Sequence, residues 1–511
     1  MTALTIAVVG GGITGLAAAW ELTHRLAHLP EPARIVVLEA SPVLGGKLRT
    51  AEVAGHHIDV GAESMLARRP EALDLIAEAG LSESVVHPTG ASATIWSRGR
   101  RWPLPPRTLM GVPSQPNSAL GLLSQAEVAR LRSEPVLPPV TADVSVGHFV
   151  ESRVGPAVVD RLVEPLLAGV YAGHARRLSL RATVPALWLA AQNGAGLVDT
   201  AAAAARRAGT GSTTRRAAAE DAPRRAGDGD GPDPAIPVFA GYRGGLGHLV
   251  EELAVLLREK GVELRTSATV RELERTGTGW ALVVGATTSA ERILVDGVVL
   301  ATPATPTGRL VKTVSLRAAE QLAAIEYASM AIISLALPRS RVGVVGAAGG
   351  VGDVADVDLS GSGFLVPPSE PVTIKAATFS ASKWEWVAGL DPEVVHLRAS
   401  VGRAGDTATL QHDDEELVAT VVADLGAVLG AEIPRPVDVQ VQRWGGALPQ
   451  YAVGHVDRVE AIRAAARALP ALELAGAAYE GVGVPSCISS GRRAARAVAT
   501  HLLGRDGGLR E

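Results

Sequence analysis

The stretch Thr5-Ile6-Ala7-Val8-Val9-Gly10-Gly11-Gly12-Ile13-Thr14-Gly15 decides the fold. Leu4–Val9 reads as a short apolar strand and Gly15–Ala27, rich in alanine and leucine, as a helix. Between them lies G-x-G-x-x-G, the turn that seats a dinucleotide. Gly10 permits the tight turn, Gly12 lets backbone approach a pyrophosphate, and Gly15 lets the helix pack on the strand. The residues Gly11, Ile13 and Thr14 complete the loop. The helix start offers unpaired N–H groups and a partial positive charge to phosphates. Ile35–Leu38 is a second continuous apolar run, as expected of a buried parallel strand, and ends at Glu39. An acidic side chain there accepts hydrogen bonds from an adenosine ribose and repels a 2′-phosphate, which disfavours NADP.

Composition sets the outer bounds. A chain of 511 residues, 47% hydrophobic and 20% charged, can bury two to four domain cores. A net charge of −4 gives no global case for nucleic-acid binding. Aromatics at 3% exclude a porin girdle or a base-stacking platform. The single cysteine, Cys487, excludes an intrachain disulfide and a Cys-cluster metal site, and no other metal constellation is evident. This suits a reducing, cytoplasmic setting. No run reaches the roughly 18 apolar residues of a spanning helix. The N-terminus lacks the positive flank of a signal peptide. Peripheral attachment to a membrane stays open.

Further along, Pro70–Ala79 reads as a helix, and 88–139 is too rich in proline for long regular elements. Val146–Ala168 looks helical, interrupted by Pro156 and Pro165. Residues 200–237 lack large apolar side chains and are expected to be a flexible surface insertion. Leu246–Glu259, Leu417–Leu429, Val456–Ala468 and Ser489–Leu503 read as helices. Val262–Leu264, Ala268–Leu273, Trp280–Val284, Gly297–Leu300, Ser329–Leu337, Val372–Thr378, Val437–Arg443 and Leu472–Ala475 read as strands.

Three more segments suit an extended ligand. Gly45-Gly46-Lys47-Leu48-Arg49-Thr50 follows Glu39, and its glycine pair lets backbone approach again; a plain turn is the alternative. Asp59-Val60-Gly61-Ala62-Glu63-Ser64 adds a polar glycine turn. Glu480-Gly481-Val482-Gly483-Val484-Pro485-Ser486-Cys487 leads into the last helix, whose N-terminal dipole suits the electron-rich edge of a reduced flavin. Two nucleotide-type helix starts fit a flavoprotein better than a simple NAD dehydrogenase.

At these residues the chain resembles the FAD-dependent porphyrinogen oxidases of haem biosynthesis, within the amine-oxidase-like flavoprotein superfamily. VVGGGITGLAAAW and VLEASPVLGGKLRT are generic to the superfamily. GVYAG-x4-LS, ALPQY-x-VGH and YEGVGVPSCI-x-SG are more specific, and the matching pieces span nearly the whole chain apart from 200–237. Val43 departs from the arginine that often precedes the glycine pair, which weakens a generic amine-oxidase reading.

The resemblance implies an α/β (α+β) architecture with a discontinuous Rossmann-like FAD-binding domain (1–87, 238–305, 431–511). It adds a mainly helical subdomain facing substrate or membrane (88–199) and a sheet-containing substrate domain (306–430). It implies non-covalent FAD held by Gly10–Gly15, Glu39, Ala40, Gly46, Lys47, Gly61, Ala62, Glu63, Ser64, Val270, Val482, Gly483 and Val484, with Trp444 a further candidate. The implied reaction removes six electrons from a porphyrinogen in three cycles, each pair passing to O2 to give H2O2. The product then passes to a later haem-pathway enzyme. The GAES-x-L-x-R-R texture resembles the branch that forms coproporphyrin III from coproporphyrinogen III. Protoporphyrinogen IX is the alternative substrate, and another superfamily oxidase, a carotenoid desaturase or a flavin-containing scaffold are rivals.

A disc-shaped substrate edged with propionates calls for basic residues at an apolar pocket's rim. Arg69, with Arg68, is the first candidate, and Arg176 and Arg177 the second; a solvated helix-start charge is the plain alternative for Arg69. His455 is read as holding a loop. His174, His56 and His57 show no partner in sequence. Cys487 is read as a small buried residue, not a covalent flavin anchor.

Overall fold

The computed structural model describes residues 3–207, 237–343 and 357–507. Most of the expected insertion at 200–237 lies outside these residues, and its first part, to 207, continues a helix begun at 197. Two compact units form: Met1–Val86, Ala240–Ser334 and Asp438–Glu511 make the first, and His87–Phe239 and Leu335–Val437 the second.

The first unit is built on a five-stranded sheet in the order Glu263–Arg265, Arg34–Leu38, Thr5–Val9, Gly297–Leu300, Leu472–Leu474. Every pairing is parallel, with Val9 opposite both Leu38 and Leu300. Such strands read as unbroken apolar runs because both faces are covered. Ile6, Val8 and Val37 enter a core with the helices Ile13–Arg25, Leu246–Glu259 and Val484–Gly507. Ala7, Val9, Val36 and Leu38 enter a second core with the antiparallel sheet Val270–Arg275, Trp280–Val284, Glu291–Val295. The first and last helices cross closely, since a Cβ on Gly491 would lie 2.1 Å from the Thr14 carbonyl oxygen. The last helix starts at Val484, earlier than Ser489, because Pro485 fits a first helical turn.

The second unit contains the antiparallel hairpin Ala93–Ser97 and Arg100–Pro103, closed by Arg98-Gly99 with both φ values positive. Gly363–Leu365 runs parallel to Ala93–Ser97, and Ile374–Thr378 and Val394–Val401 follow antiparallel. Gly155, at φ +92, breaks the expected 146–168 helix into Val146–Val154 and a second stretch ending at Tyr171.

These units differ from the expected division in two ways. Segments 88–199 and 335–437 share one sheet and one unit, where separate helical and sheet-containing parts were expected. The first unit extends to Ser334, beyond 305, because Leu310, Val311, Ala318 and Leu322 from two helices fill its second core.

Charge is buried in the second unit. Lys375 (5% exposed) donates from Nζ to the Gly402 carbonyl, and Arg403 (7%) donates to the Val366 carbonyl. Burial, with the like charge of Arg403 nearby, pulls the Lys375 ammonium down to about 7. Glu164, 3% exposed, accepts from the Ala175 N–H at 2.7 Å and from His174 Nδ1 at 3.0 Å. His174 Nε2 faces the Ala404 carbonyl at 2.9 Å, so both ring nitrogens donate and the hydrogen bond to Glu164 raises the imidazole's affinity for a proton.

A lysine with a depressed folded pKa binds fewer protons than the unfolded chain between about 7 and its ordinary value. Its cost to stability is therefore full below that window and fades as pH rises through it. Lys375→Met is expected to raise the urea midpoint relative to wild type at pH 6, with an unfolding free energy higher by on the order of a few kcal/mol. The gain should shrink steadily toward pH 10. A gain independent of pH would contradict a charged, buried Lys375.

Candidate functional site

The loop Gly10–Gly15 is shaped by backbone contact. Gly10, at φ +108, donates to the Leu38 carbonyl at 2.8 Å, and a Cβ on Gly15 would sit 1.9 Å from the Gly10 oxygen. Gly11 donates to Glu39 Oε2 at 2.6 Å and has no room for a Cβ beside Leu44. Gly12 differs. It caps the first helix in an extended conformation any residue can adopt (φ −73, ψ 176). Its nearest neighbours to a Cβ are Gly45 and Gly46, both at 3.9 Å. The protein itself does not require glycine at 12; a ligand against that backbone would. The helix there has no side-chain cap, so the N–H groups of its first turn point outward for an anion. The buried Ile13 and Thr14 continue that turn.

Gly45 donates to the Gly11 carbonyl at 2.8 Å, aligning the second glycine turn with the first. Gly45 (φ +103) and Gly46 (φ +59) take conformations suited to glycine. Glu39 is held by two backbone donors, Gly11 on Oε2 and Ser41 on Oε1 at 2.8 Å, and a carboxylate keeps further lone pairs for a ribose. Ala268 donates to the Glu39 carbonyl and Ser267 to that of Ser41. These bonds bring the chain leading to Val270 alongside Glu39–Ser41, which includes Ala40.

Lys47, Gly61 and Trp444 form the next wall. Ala62 donates to the Lys47 carbonyl at 3.0 Å, and a Cβ on Gly61 would stand 2.0 Å from the same oxygen. Glu63 follows, buried, then Ser64, half-buried. Trp444 Nε1 donates to the Val60 carbonyl at 2.9 Å. Burial lowers the proton affinity of the Lys47 ammonium, and the nearby titratable group is Cys487. Val482 and Gly483 form the bend that leads into the last helix at Val484. The Tyr451 hydroxyl donates to the Ala477 carbonyl at 2.6 Å and accepts from the Gly481 N–H at 2.7 Å. His455 stacks on the Tyr451 ring at 3.9 Å between centroids, as a residue holding that loop should. Burial pushes the Cys487 thiol up to about 11, and its Sγ lies 3.9 Å from the carbonyls of Gly481 and Val482. Two helix starts, one glycine-paired turn and one carboxylate thus converge, which fits an extended dinucleotide.

The arginine candidates stand elsewhere. Arg68 and Arg69 are exposed, and Arg69 pairs with Glu71 two residues on, with Nη2 to Oε1 at 2.5 Å. Arg176 pairs with Glu151 at 3.0 Å and Asp160 at 2.6 Å, and Arg177 is exposed beside it in the second unit. Sequence reading overlooked Tyr451, whose only signal was its place in ALPQYAVGH. It also gave Gly45 and Arg49 no role of their own.

The profile of the flavin-containing amine oxidoreductases matches residues 13–499. The chain belongs to that family. This flavin-containing amine oxidoreductase is 38% identical to the coproporphyrinogen III oxidase of Mycobacterium leprae, over 98% of this chain and 99% of the relative. It is 31% identical to that of Bacillus subtilis, over 98% of each. The crystal structure of a protein described as a protoporphyrinogen oxidase, from Exiguobacterium sp. 255-15, aligns with a TM-score of 0.77 at 28% identity, over 98% and 99% of the two chains. The amine oxidoreductase is therefore a flavin-dependent oxidoreductase. Among its described residues no helix is long and apolar enough to cross a membrane.

Gly12 and Gly15 separate ligand from fold. Gly12→Val should leave the apoprotein's urea midpoint near wild type and abolish FAD retention through gel filtration. Gly15→Ala should cost about 1–3 kcal/mol or more of apoprotein stability. Equal destabilisation by both would show that Gly12 serves packing.

Proposed function

We propose that the protein oxidises coproporphyrinogen III to coproporphyrin III using non-covalently bound FAD. The observation that carries this reading is full-length similarity to two coproporphyrinogen III oxidases, joined to a cradle whose Gly12 is left open toward a ligand. Bound FAD would accept two electrons per cycle and return them to O2 as H2O2, so three cycles complete the six-electron change.

The chain's own residues bind and orient. Gly10–Gly15 and the uncapped first helix would take the pyrophosphate, with the ribose on Glu39. Lys47 and the start of the last helix bring positive potential to the other end of the cradle. Cys487 favours non-covalent binding. Its thiol is buried and protonated at neutral pH, so it is a poor nucleophile. Arg69 remains the first candidate for a propionate; it would have to exchange its bond to Glu71. Arg68, Arg176 and Arg177 are weaker, since Arg176 already serves two carboxylates.

Protoporphyrinogen IX is the second reading, favoured by the Exiguobacterium structure's description. Two substrates that differ by two carboxylates are best separated by kinetics. Acid precipitation of the purified protein should release its yellow colour to the supernatant. Under air, porphyrin fluorescence should give a kcat/KM at least about tenfold higher for coproporphyrinogen III, the loss of a charge-assisted contact being on that scale. The reverse preference would replace the substrate. A flavin-loaded protein that forms no porphyrin from either would overturn the reaction.

A further inference from the structure

Arg49, like Lys47, is a cation of the cradle without a carboxylate partner among the described residues. Among the described residues it has no ion pair, and its Nε is buried without a hydrogen-bond partner. Its guanidinium lies over the Trp444 ring, 5.7 Å from the centroid. That ring is fixed by the Trp444 bond to the Val60 carbonyl, and its edge borders the Gly61 turn. The Arg49 carbonyl accepts from the Val60 N–H at 2.9 Å, so backbone and ring hold the residue from both sides. Leu48 points into the helix-side core, while Lys47 comes near Cys487 at the start of the last helix.

Burying part of a guanidinium without a hydrogen-bonded partner costs stability, and an aromatic face compensates only partly. Elsewhere in the first unit several arginines have carboxylates, whereas the half-buried Arg458, on the helix His455–Ala466, shares with Arg49 a buried Nε that has no hydrogen-bond partner. Arg492 and Arg496 both reach Glu21, and Arg463 reaches Glu480. An arginine kept pre-oriented but unpaired on a ligand-facing wall is set for an anionic acceptor that arrives with the ligand.

We propose that Arg49, laid on Trp444, is a cofactor-positioning residue that donates to an anionic or electron-rich oxygen of bound FAD. This rests on the flavoenzyme reading above and assigns a role to a residue outside the glycine loops. A residue used only by the ligand should be neutral or costly to the apoprotein. A residue used by the fold should stabilise it.

The test uses apoprotein of wild type, Arg49→Gln and Arg49→Lys, reconstituted with FAD and followed by quenching of flavin fluorescence. Urea unfolding of each apoprotein is measured in parallel. Arg49→Gln is expected to raise the FAD Kd about tenfold or more, the scale of a lost charge-assisted hydrogen bond. Its apoprotein should unfold at the wild-type urea concentration or higher. Arg49→Lys should fall between the two in affinity, since a point charge replaces part of a planar fork. An Arg49→Gln Kd within twofold of wild type would overturn the proposal, including the case in which only the substrate KM rises. So would an apoprotein destabilised by Arg49→Gln with FAD affinity intact. Wild-type protein that binds no FAD would instead sink the flavoenzyme reading itself.

Discussion

The crossing of the first and last helices is the constraint on which the cofactor cradle depends. A Cβ on Gly491 would overlap the Thr14 carbonyl, and a Cβ on Gly15 would overlap the Gly10 oxygen. Glycine at 491 lets the two helices approach with their N-termini at one locality, and glycine at 15 seats the first helix against its own loop. Peptide dipoles from opposite ends of the chain then act on one ligand. The remaining parts follow from that approach. Gly45 bonds to Gly11, Glu39 is clamped by Gly11 and Ser41, and Tyr451 pins Gly481. Each of these contacts fixes a backbone N–H, on a carbonyl at Gly11 and on the side chains of Glu39 and Tyr451, so backbone and held side chains shape the cradle together.

Electrostatics divides the molecule's cations into two kinds. Arg69, Arg176, Arg492 and Arg496 are paired with carboxylates. Lys47 and Arg49 sit in the cradle without an ion pair among the described residues, and burial already disfavours the charge on Lys47. Such an arrangement trades apoprotein stability for ligand affinity. Lys375 and Arg403 are buried too, and each gives a hydrogen bond to a carbonyl, of Gly402 and Val366, although Arg403 Nε has no hydrogen-bond partner.

Legibility in the sequence followed the range of the interactions. Thr5–Val9, Leu246–Glu259, Trp280–Val284 and Gly297–Leu300 were readable because an apolar period and flanking glycines are local. The glycine loop and Glu39 were readable because one ligand fixes their spacing. The hairpin at Arg98-Gly99 was hidden among prolines, although a two-residue turn ending in glycine was its signal. The helix Gln125–Arg132 was missed despite the capping box of Ser124 and Glu127. The joining of 88–199 to 335–437 could not be read, because the pairing of Gly363–Leu365 with Ala93–Ser97 is long-range. Arg69 looked available until its neighbour Glu71 was seen to hold it, and Arg49 drew no notice because the absence of a partner is a property of three dimensions.

Hydrogen exchange of the apoprotein with and without FAD tests most directly whether the fold prebuilds the cradle. The helix interiors at 16–22 and 491–499 should be equally protected in both states. FAD should add protection at 10–15, 45–49 and 482–487. Helix interiors that exchange freely in the apoprotein and become protected only when FAD binds would contradict the account, since the cofactor, not the Thr14–Gly491 crossing, would then be assembling the site.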